Sequence, residues 1–371
     1  MNELRTEIQL DSETDARLRA ITLVDMEQSM GNTPLVLLDE KDGSTLYGKI
    51  EGANPTGSIK ARTALYMLRD YLENKTRPDK GIVVNSGGNF ALALSAMCAA
   101  ENIPLVVSLL ASAPEEYVTA LVELGADVVR ESATRDERRG VTQRYEGEGY
   151  TFLDQHNSPL ALLGIGQTLP AEIWEQTQGR VTDIVAGFGT GMTVFGNSIY
   201  FRNRYAEGLI PTPVAITAVE DDLSLLDFHV KSLSVKDGTN VERCAFLERY
   251  RQETGRAIRS YQRKDGGVGK VVFDVGERAV DDVPGIGISG LQPAAAELLQ
   301  MDLIDQVIQV LPQDAVETTR DLHARGQDVG ISSGAAYVAA RQIFDEKIER
   351  GEPCTIVAIF PDTGANYKSL L

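Results

Sequence analysis

Cysteine and histidine are scarce in this chain. Cys98, Cys244 and Cys354 lie far apart, and His156, His229 and His323 do not cluster with them. That spacing excludes a disulfide scaffold and a zinc site, so no metal is expected. Basic residues are in the minority as well, 36 against 54 acidic ones, for a formal charge of −18. Such a balance disfavours nucleic acid and anionic membrane surfaces as partners. Any anion site must therefore be local, built from backbone N–H groups and a few side chains. No apolar run approaches the roughly 18 to 20 residues of a membrane span. Residues Met1 to Asp11 are acidic and polar rather than basic and then apolar, so a cytoplasmic protein is expected.

The chain does have enough apolar residues, 43%, for one large or two smaller buried cores. Thr33 to Leu37 and Thr45 to Lys49 read as short strands. Strands and helices then alternate: strand Gly81 to Asn85, helix Phe90 to Asn102, strand Pro104 to Leu110, helix Pro114 to Leu124 and strand Asp127 to Arg130. The alternation resumes at Asp183 to Ala186, with a helix from about Met192, strand Val214 to Val219, helix Pro293 to Met301 and strand Val307 to Leu311. Helices Ala315 to Arg325 and Ala335 to Ile348 and strand Thr355 to Phe360 complete it. No hairpin signal separates the strands, which predicts parallel sheets covered by helices, an α/β fold. The stretch 221–283 is less regular and reads as an insertion, lid or interface element. There is no internal repeat or low-complexity tract.

Lys60 carries the most information. It sits in Asn54-Pro-Thr-Gly-Ser-Ile-Lys-Ala-Arg62, where Gly57-Ser58 allows close backbone approach and Ala64, Leu65 and Leu68 continue an apolar helical face. Most lysines are surface charges, but one at a shielded helix start loses its proton more easily, and the neutral amine attacks a cofactor aldehyde. Two distant loops supply the complement, Ser86-Gly-Gly-Asn89 and Gly187-Phe-Gly-Thr-Gly-Met-Thr193. The second follows an apolar strand and precedes a helix, so its N–H groups and the hydroxyls of Thr190 and Thr193 can converge on one anion. It matches neither the nucleotide loop G-x-x-x-x-G-K-[ST] nor G-x-G-x-x-G. The latter pattern occurs at Gly285-Ile-Gly-Ile-Ser-Gly290, but Pro284 precedes it in place of a strand. With Gly330-Ile-Ser-Ser-Gly-Ala335 the set reads as a site for pyridoxal phosphate (PLP).

In this order, Gly31-Asn-Thr-Pro-Leu35, Asn54 to Lys60, Gly187 to Thr193, Gly285-Ile-Gly287, Gly330 to Ala335 and Pro361-Asp-Thr-Gly364 resemble the motifs of fold-type II PLP enzymes. The likeness is to cysteine synthase (O-acetylserine sulfhydrylase) and the catalytic core of cystathionine β-synthase, and runs over about residues 30 to 367. It implies two parallel-rich open sheets covered by helices, tryptophan synthase β-like. It also implies a domain plan: 1–47 as an extension and start of the large domain, 48–165 as a small mobile domain carrying Lys60 and the Asn89 loop, and 166–371 as the large cofactor-phosphate domain with the insertion at about 221–283. By position, Lys60 would hold PLP and act as general base. Gly187, Gly189, Thr190, Gly191 and Thr193 would bind its phosphate, Asn89 would contact the ring's 3′ oxygen, and Ser332 would hydrogen-bond the pyridine nitrogen. A neutral hydroxyl there moderates the electron sink and favours β-elimination over transamination.

The likeness departs at the substrate carboxylate loop. The usual Thr-Ser-Gly-Asn-Thr-Gly is here Ser86-Gly-Gly-Asn-Phe-Ala91, with Gly87 and Phe90 in place of two hydroxyl-bearing residues. Ser86, Gly87, Gly88, Asn89, Phe90 and Gln155 are the expected substrate-binding set. The expected activity is β-replacement on an activated serine, O-acetylserine or O-phosphoserine, through an aminoacrylate, in a homodimer acting on small amino acids. Alternatives are an amine-accepting diaminopropionate-type synthase, a serine or threonine dehydratase, and a non-catalytic PLP-binding regulatory partner.

Overall fold

The computed structural model describes residues 22–74, 80–86, 88–113, 115–132, 135–220, 252, 270–272, 293–299, 301 and 303–367. The strands are β1 Leu35–Lys41, β2 Ser44–Ile50, β3 Ile82–Val84, β4 Leu105–Leu110, β5 Asp127–Ser132, β6 Thr151–Phe152, β7 Asp183–Gly187, β8 Ala215–Glu220, β9 Lys270–Val272, β10 Gln306–Gln309 and β11 Thr355–Phe360. The α-helices are α1 Leu23–Gln28, α2 Lys60–Glu73, α3 Asn89–Ala100, α4 Glu115–Glu123, α5 Arg135–Gly147, α6 Pro159–Gly166, α7 Leu169–Gln176, α8 Met192–Ala206, α9 Pro293–Leu299, α10 Pro312–Ala324 and α11 Ile331–Glu349.

The chain forms two compact units, residues 1–29 with 71–153, and 30–70 with 154–371. The smaller unit holds a four-stranded sheet in the order β5-β4-β3-β6, parallel throughout. Val83, Val106, Val129 and Val141 form a core on it, flanked by Tyr145, Tyr150 and Phe152. The larger unit holds a seven-stranded sheet in the order β1-β2-β11-β7-β8-β10-β9. β11 and β7 are central and apolar, buried almost end to end, as expected of parallel strands covered on both faces. α11 packs its alanine-rich face on this sheet, and Val185, Val219, Ile308, Ile356 and Phe360 share its core.

Two findings differ from the sequence reading. β1 and β2 form an antiparallel hairpin, although no hairpin was expected. Its turn is Asp42-Gly43, both residues at positive φ (51° and 77°), the left-handed pair that a tight two-residue hairpin turn requires. Lys60 falls in the larger unit and the Asn89 loop in the smaller one. The reason is pairing: β2, just before the lysine loop, lies parallel beside β11 from Thr45↔Thr355 to Ile50↔Phe360. Within the stretch 221–283, Lys270–Val272 is β9, which adds an edge strand beside β10. The remainder of that stretch, apart from residue 252, lies outside the described residues, as do Gly87, Gly285 and Gly287. Among the described residues no helix is long and apolar enough to cross a membrane.

Candidate active site

In the larger unit the chain leaves β7 at Gly187 and turns into α8. Gly191 is the residue before that helix, at φ +81°, and it places no side chain over the helix start. The first N–H groups of a 15-residue helix are left facing the loop, a ready seat for an anion. Phe188 and Phe195 meet edge to face at 5.5 Å beneath the turn and are both buried. Gly187, Gly189, Thr190 and Thr193 are half-buried and border solvent.

Lys60 opens α2 with Ala61, Ala64, Leu65 and Leu68 buried behind it. Its Nζ donates to Thr190 Oγ1 at 3.3 Å, which joins the lysine loop to the glycine-rich loop. The side chain is half-buried, and loss of water around the ammonium pulls its pKa from 10.5 to about 8. A useful fraction of the amine is then neutral near pH 7. Ser332, 3% exposed, sits in the first turn of α11. Residues 361 and 362 stitch the two regions together. Ile59 N–H donates to Pro361 O at 2.7 Å, Ser58 bridges Asp362, and Gly330 N–H donates to Asp362 O at 3.0 Å. Tyr367 Oη donates to the Asp362 carboxylate at 2.6 Å.

These residues fit PLP. The amine is poised to lose its proton, the helix start after Gly191 has only the Thr190 hydroxyl on its first N–H, at 3.4 Å, and Thr56 Oγ1, Ser58 Oγ and Ser333 Oγ are buried without a hydrogen-bond partner among the described residues. Among those residues no His, Cys, Asp and Glu group is arranged to hold a metal.

The Ser86 loop belongs to the smaller unit. Ser86 is buried, Gly88 caps α3 in an extended conformation, and Asn89 is half-buried at its first position. Phe90, expected among the substrate residues, is 1% exposed. Its ring packs in the core beneath the loop, where an aromatic side chain on an inner helix face gains most. Gln155, in the larger unit, is buried in the turn that Asp154 closes through His156 N–H and the Asn157 amide.

The sequence reading missed a buried ionic network beside the lysine loop. Arg62 donates from Nε and Nη2 to the two oxygens of Glu51, at 2.7 and 2.9 Å. It donates from Nη1 and Nη2 to those of Glu172, at 2.6 and 2.9 Å. Lys49 Nζ donates to Glu172, Gln176 and Thr33 O at 2.8, 2.9 and 2.7 Å. Thr33 Oγ1 and the Asn54 amide complete Glu51 at 2.6 and 2.9 Å. Burial alone would push the Glu172 carboxyl up, but Arg62 and Lys49 hold it below its ordinary value. Burial pulls the Lys49 ammonium down against the attraction of Glu172 and Glu51. No periodicity in the sequence marks such residues, and the only hint is charge at both ends of a strand-to-loop turn that also contains Asn54.

With two cations and two carboxylates the network is neutral. Lys49→Met should strand a carboxylate in the interior and destabilise the protein by about 3 to 5 kcal/mol. Urea unfolding followed by circular dichroism measures the loss, and Lys49→Met combined with Glu172→Gln should recover part of it. No loss in the single variant would show that the charges are not interdependent.

Known proteins resemble this chain over most of its length. The family profile described as pyridoxal-phosphate dependent enzyme matches residues 26–362. The cysteine synthase of Aquifex aeolicus (strain VF5) is 27% identical over 356 residues, covering 91% of this chain and 88% of that protein. Among solved structures, the cysteine synthase of Entamoeba histolytica shares the fold with a TM-score of 0.67 at 21% identity, covering 100% of this chain and 93% of that one. O-ureido-L-serine synthase does so with a TM-score of 0.68 at 22% identity, covering 93% of each chain.

Proposed function

From the premise that the chain belongs to the pyridoxal-phosphate-dependent enzymes, in their fold-type II, cysteine synthase branch, we propose that it replaces the β-substituent of an activated serine, O-acetylserine or O-phosphoserine, with an incoming nucleophile. The observation that carries this reading is the half-buried Lys60 amine, 3.3 Å from the Thr190 hydroxyl, with burial lowering its pKa. Lys60 anchors the cofactor through its Nζ. With the substrate bound, the same Nζ would accept the α-proton as general base. The bound cofactor supplies an electron sink that acidifies the Cα–H. Gly187, Gly189, Gly191, Thr190 and Thr193 hold the phosphate with N–H and hydroxyl donors.

By motif position the Ser332 hydroxyl would face the ring nitrogen, a neutral partner that tempers the sink. By motif position, Asn89 would contact the ring's 3′ oxygen, and Ser86, Gly87, Gly88 and Gln155 would serve the substrate carboxylate. Phe90 packs beneath that loop and shapes it. Sulfide is the simplest acceptor. An amine or a larger thiol would use the same lysine and phosphate seat.

Two measurements test the reading. Purified protein should be yellow, and borohydride should bleach the visible band and leave the cofactor on the peptide containing Lys60. A donor-by-acceptor screen read by mass spectrometry should then yield cysteine from O-acetylserine and sulfide, or the analogous product with another pair. Cofactor fixed to a different lysine, or no product with any β-substituted alanine, would overturn it.

A further inference from the structure

We propose that Arg62 is a positioning residue for Lys60: its double fork to Glu51 and Glu172 locks the rotation of the first turn of α2 and sets the direction in which the Lys60 amine is delivered. The inference rests on reading Lys60 as the cofactor lysine. Residues two apart in a helix project about 200° apart, so a side chain fixed on one flank dictates where the other points. Arg62 is that fixed flank. It is 1% exposed and makes four hydrogen bonds of 2.6 to 2.9 Å, while Lys60 reaches the opposite way to Thr190.

The same contacts close the lysine loop at its two ends. Glu51 stands immediately before the loop and Arg62 immediately after it, so their fork ties entry to exit. Inside the loop, the Asn54 amide donates to the Glu51 carboxylate and to Glu51 O at 2.9 and 2.8 Å, while Asn54 Oδ1 accepts from Gly31 N–H at 3.1 Å. On the other side, Ile59 N–H is held by Pro361 O. Buried ion pairs stabilise poorly against apolar substitutes of the same shape, so geometry is the better account of what this one supplies. A lysine at 62 would keep the charge but not the planar fork, which separates the two roles. Burial, rather than any charge of the network, depresses the Lys60 pKa, so the network acts on Lys60 through placement.

The test follows PLP capture by cofactor-free protein across pH, with visible circular dichroism of the bound cofactor and the melting temperature in parallel. Arg62→Lys should move the capture midpoint from about 8 toward the ordinary 10.5 as the amine swings into solvent. A shift of one unit slows capture at neutral pH about tenfold. The dichroism per bound cofactor should fall as well. Ile343→Val, a core change in the same unit, should lower the melting temperature and leave both readouts at wild-type values. If Arg62→Lys does not fold, Glu172→Gln removes one fork, keeps the other, and should give an intermediate shift.

A folded Arg62→Lys or Glu172→Gln protein with wild-type midpoint and dichroism would overturn the proposal, whatever its melting temperature. If neither variant folds, the network is a requirement of the fold and the positioning role is also overturned. Wild-type cofactor trapped on a lysine other than Lys60 is a separate result, and it would remove the functional reading instead.

Discussion

Replacing Lys60 with Met should abolish borohydride-fixed cofactor and lower turnover by about 10²- to 10⁴-fold through loss of the general base alone. It should at the same time stabilise the cofactor-free protein at neutral pH. Burial depresses the folded-state pKa of Lys60 to about 8, whereas the unfolded chain keeps the ordinary 10.5. Below about 8 both states are protonated, and the folded wild type bears the full desolvation penalty. Between about 8 and 10.5 the folded state has released a proton that the unfolded state retains, so wild-type stability rises with pH. Above 10.5 both are neutral and the penalty is gone. The Lys60→Met protein, whose side chain has a similar length and no charge, should therefore melt higher than wild type at pH 7, with a gap that closes by about pH 10.5. Calorimetry at three pH values across this window measures it. A gap that is flat with pH would show that the amine is not desolvated.

The second large effect is expected at Gly191. A Cβ there would lie 2.7 Å from the Phe195 ring and 3.0 Å from the Phe188 ring, on a residue whose φ is +81°. Left-handed backbone costs an alanine about 1 to 2 kcal/mol, and overpacking adds about 1 to 3. Neither ring can yield easily, since both are buried and packed on each other. The turn itself must move, and the N–H groups proposed to hold the phosphate move with it. Each lost hydrogen bond to a charged group is worth about 1.5 to 3 kcal/mol, so two of them would weaken PLP binding by about 100-fold or more. Equilibrium dialysis of Gly191→Ala against PLP gives the number. A lowered melting temperature with unaltered PLP affinity would show that the loop is a packing turn and not the phosphate seat.

Much of this was legible in the residues. β7, the glycine-rich turn and α8 announce themselves through an apolar run followed by Gly187 to Thr193, and β11 through Thr355 to Phe360. The structure brings Lys60 to Thr190 across 130 residues of sequence. What was not legible has physical reasons. The Asp42-Gly43 hairpin was passed over because the strands were read as ending at Leu37 and starting at Thr45, whereas β1 runs on through charged residues to Lys41 and β2 begins at Ser44. α5, Arg135–Gly147, has too few apolar residues to show a helical period. Lys49, Glu51, Arg62 and Glu172 are the residue types least expected in a core, and only mutual neutralisation permits them there. Strand pairing between β2 and β11 cannot be seen from local pattern.

That pairing also orders the site in time. Each partner of β2 in the sheet beyond the hairpin lies about 310 residues downstream, and the acceptor for Ile59 N–H is Pro361. At ordinary rates of synthesis, about 5 to 20 residues per second, roughly 15 to 60 s separate the emergence of the lysine loop from that of its last support. During this interval Lys60 is a solvated amine with an ordinary affinity for protons. With Lys60 as the cofactor lysine, capture is expected to wait for the arrival of β11.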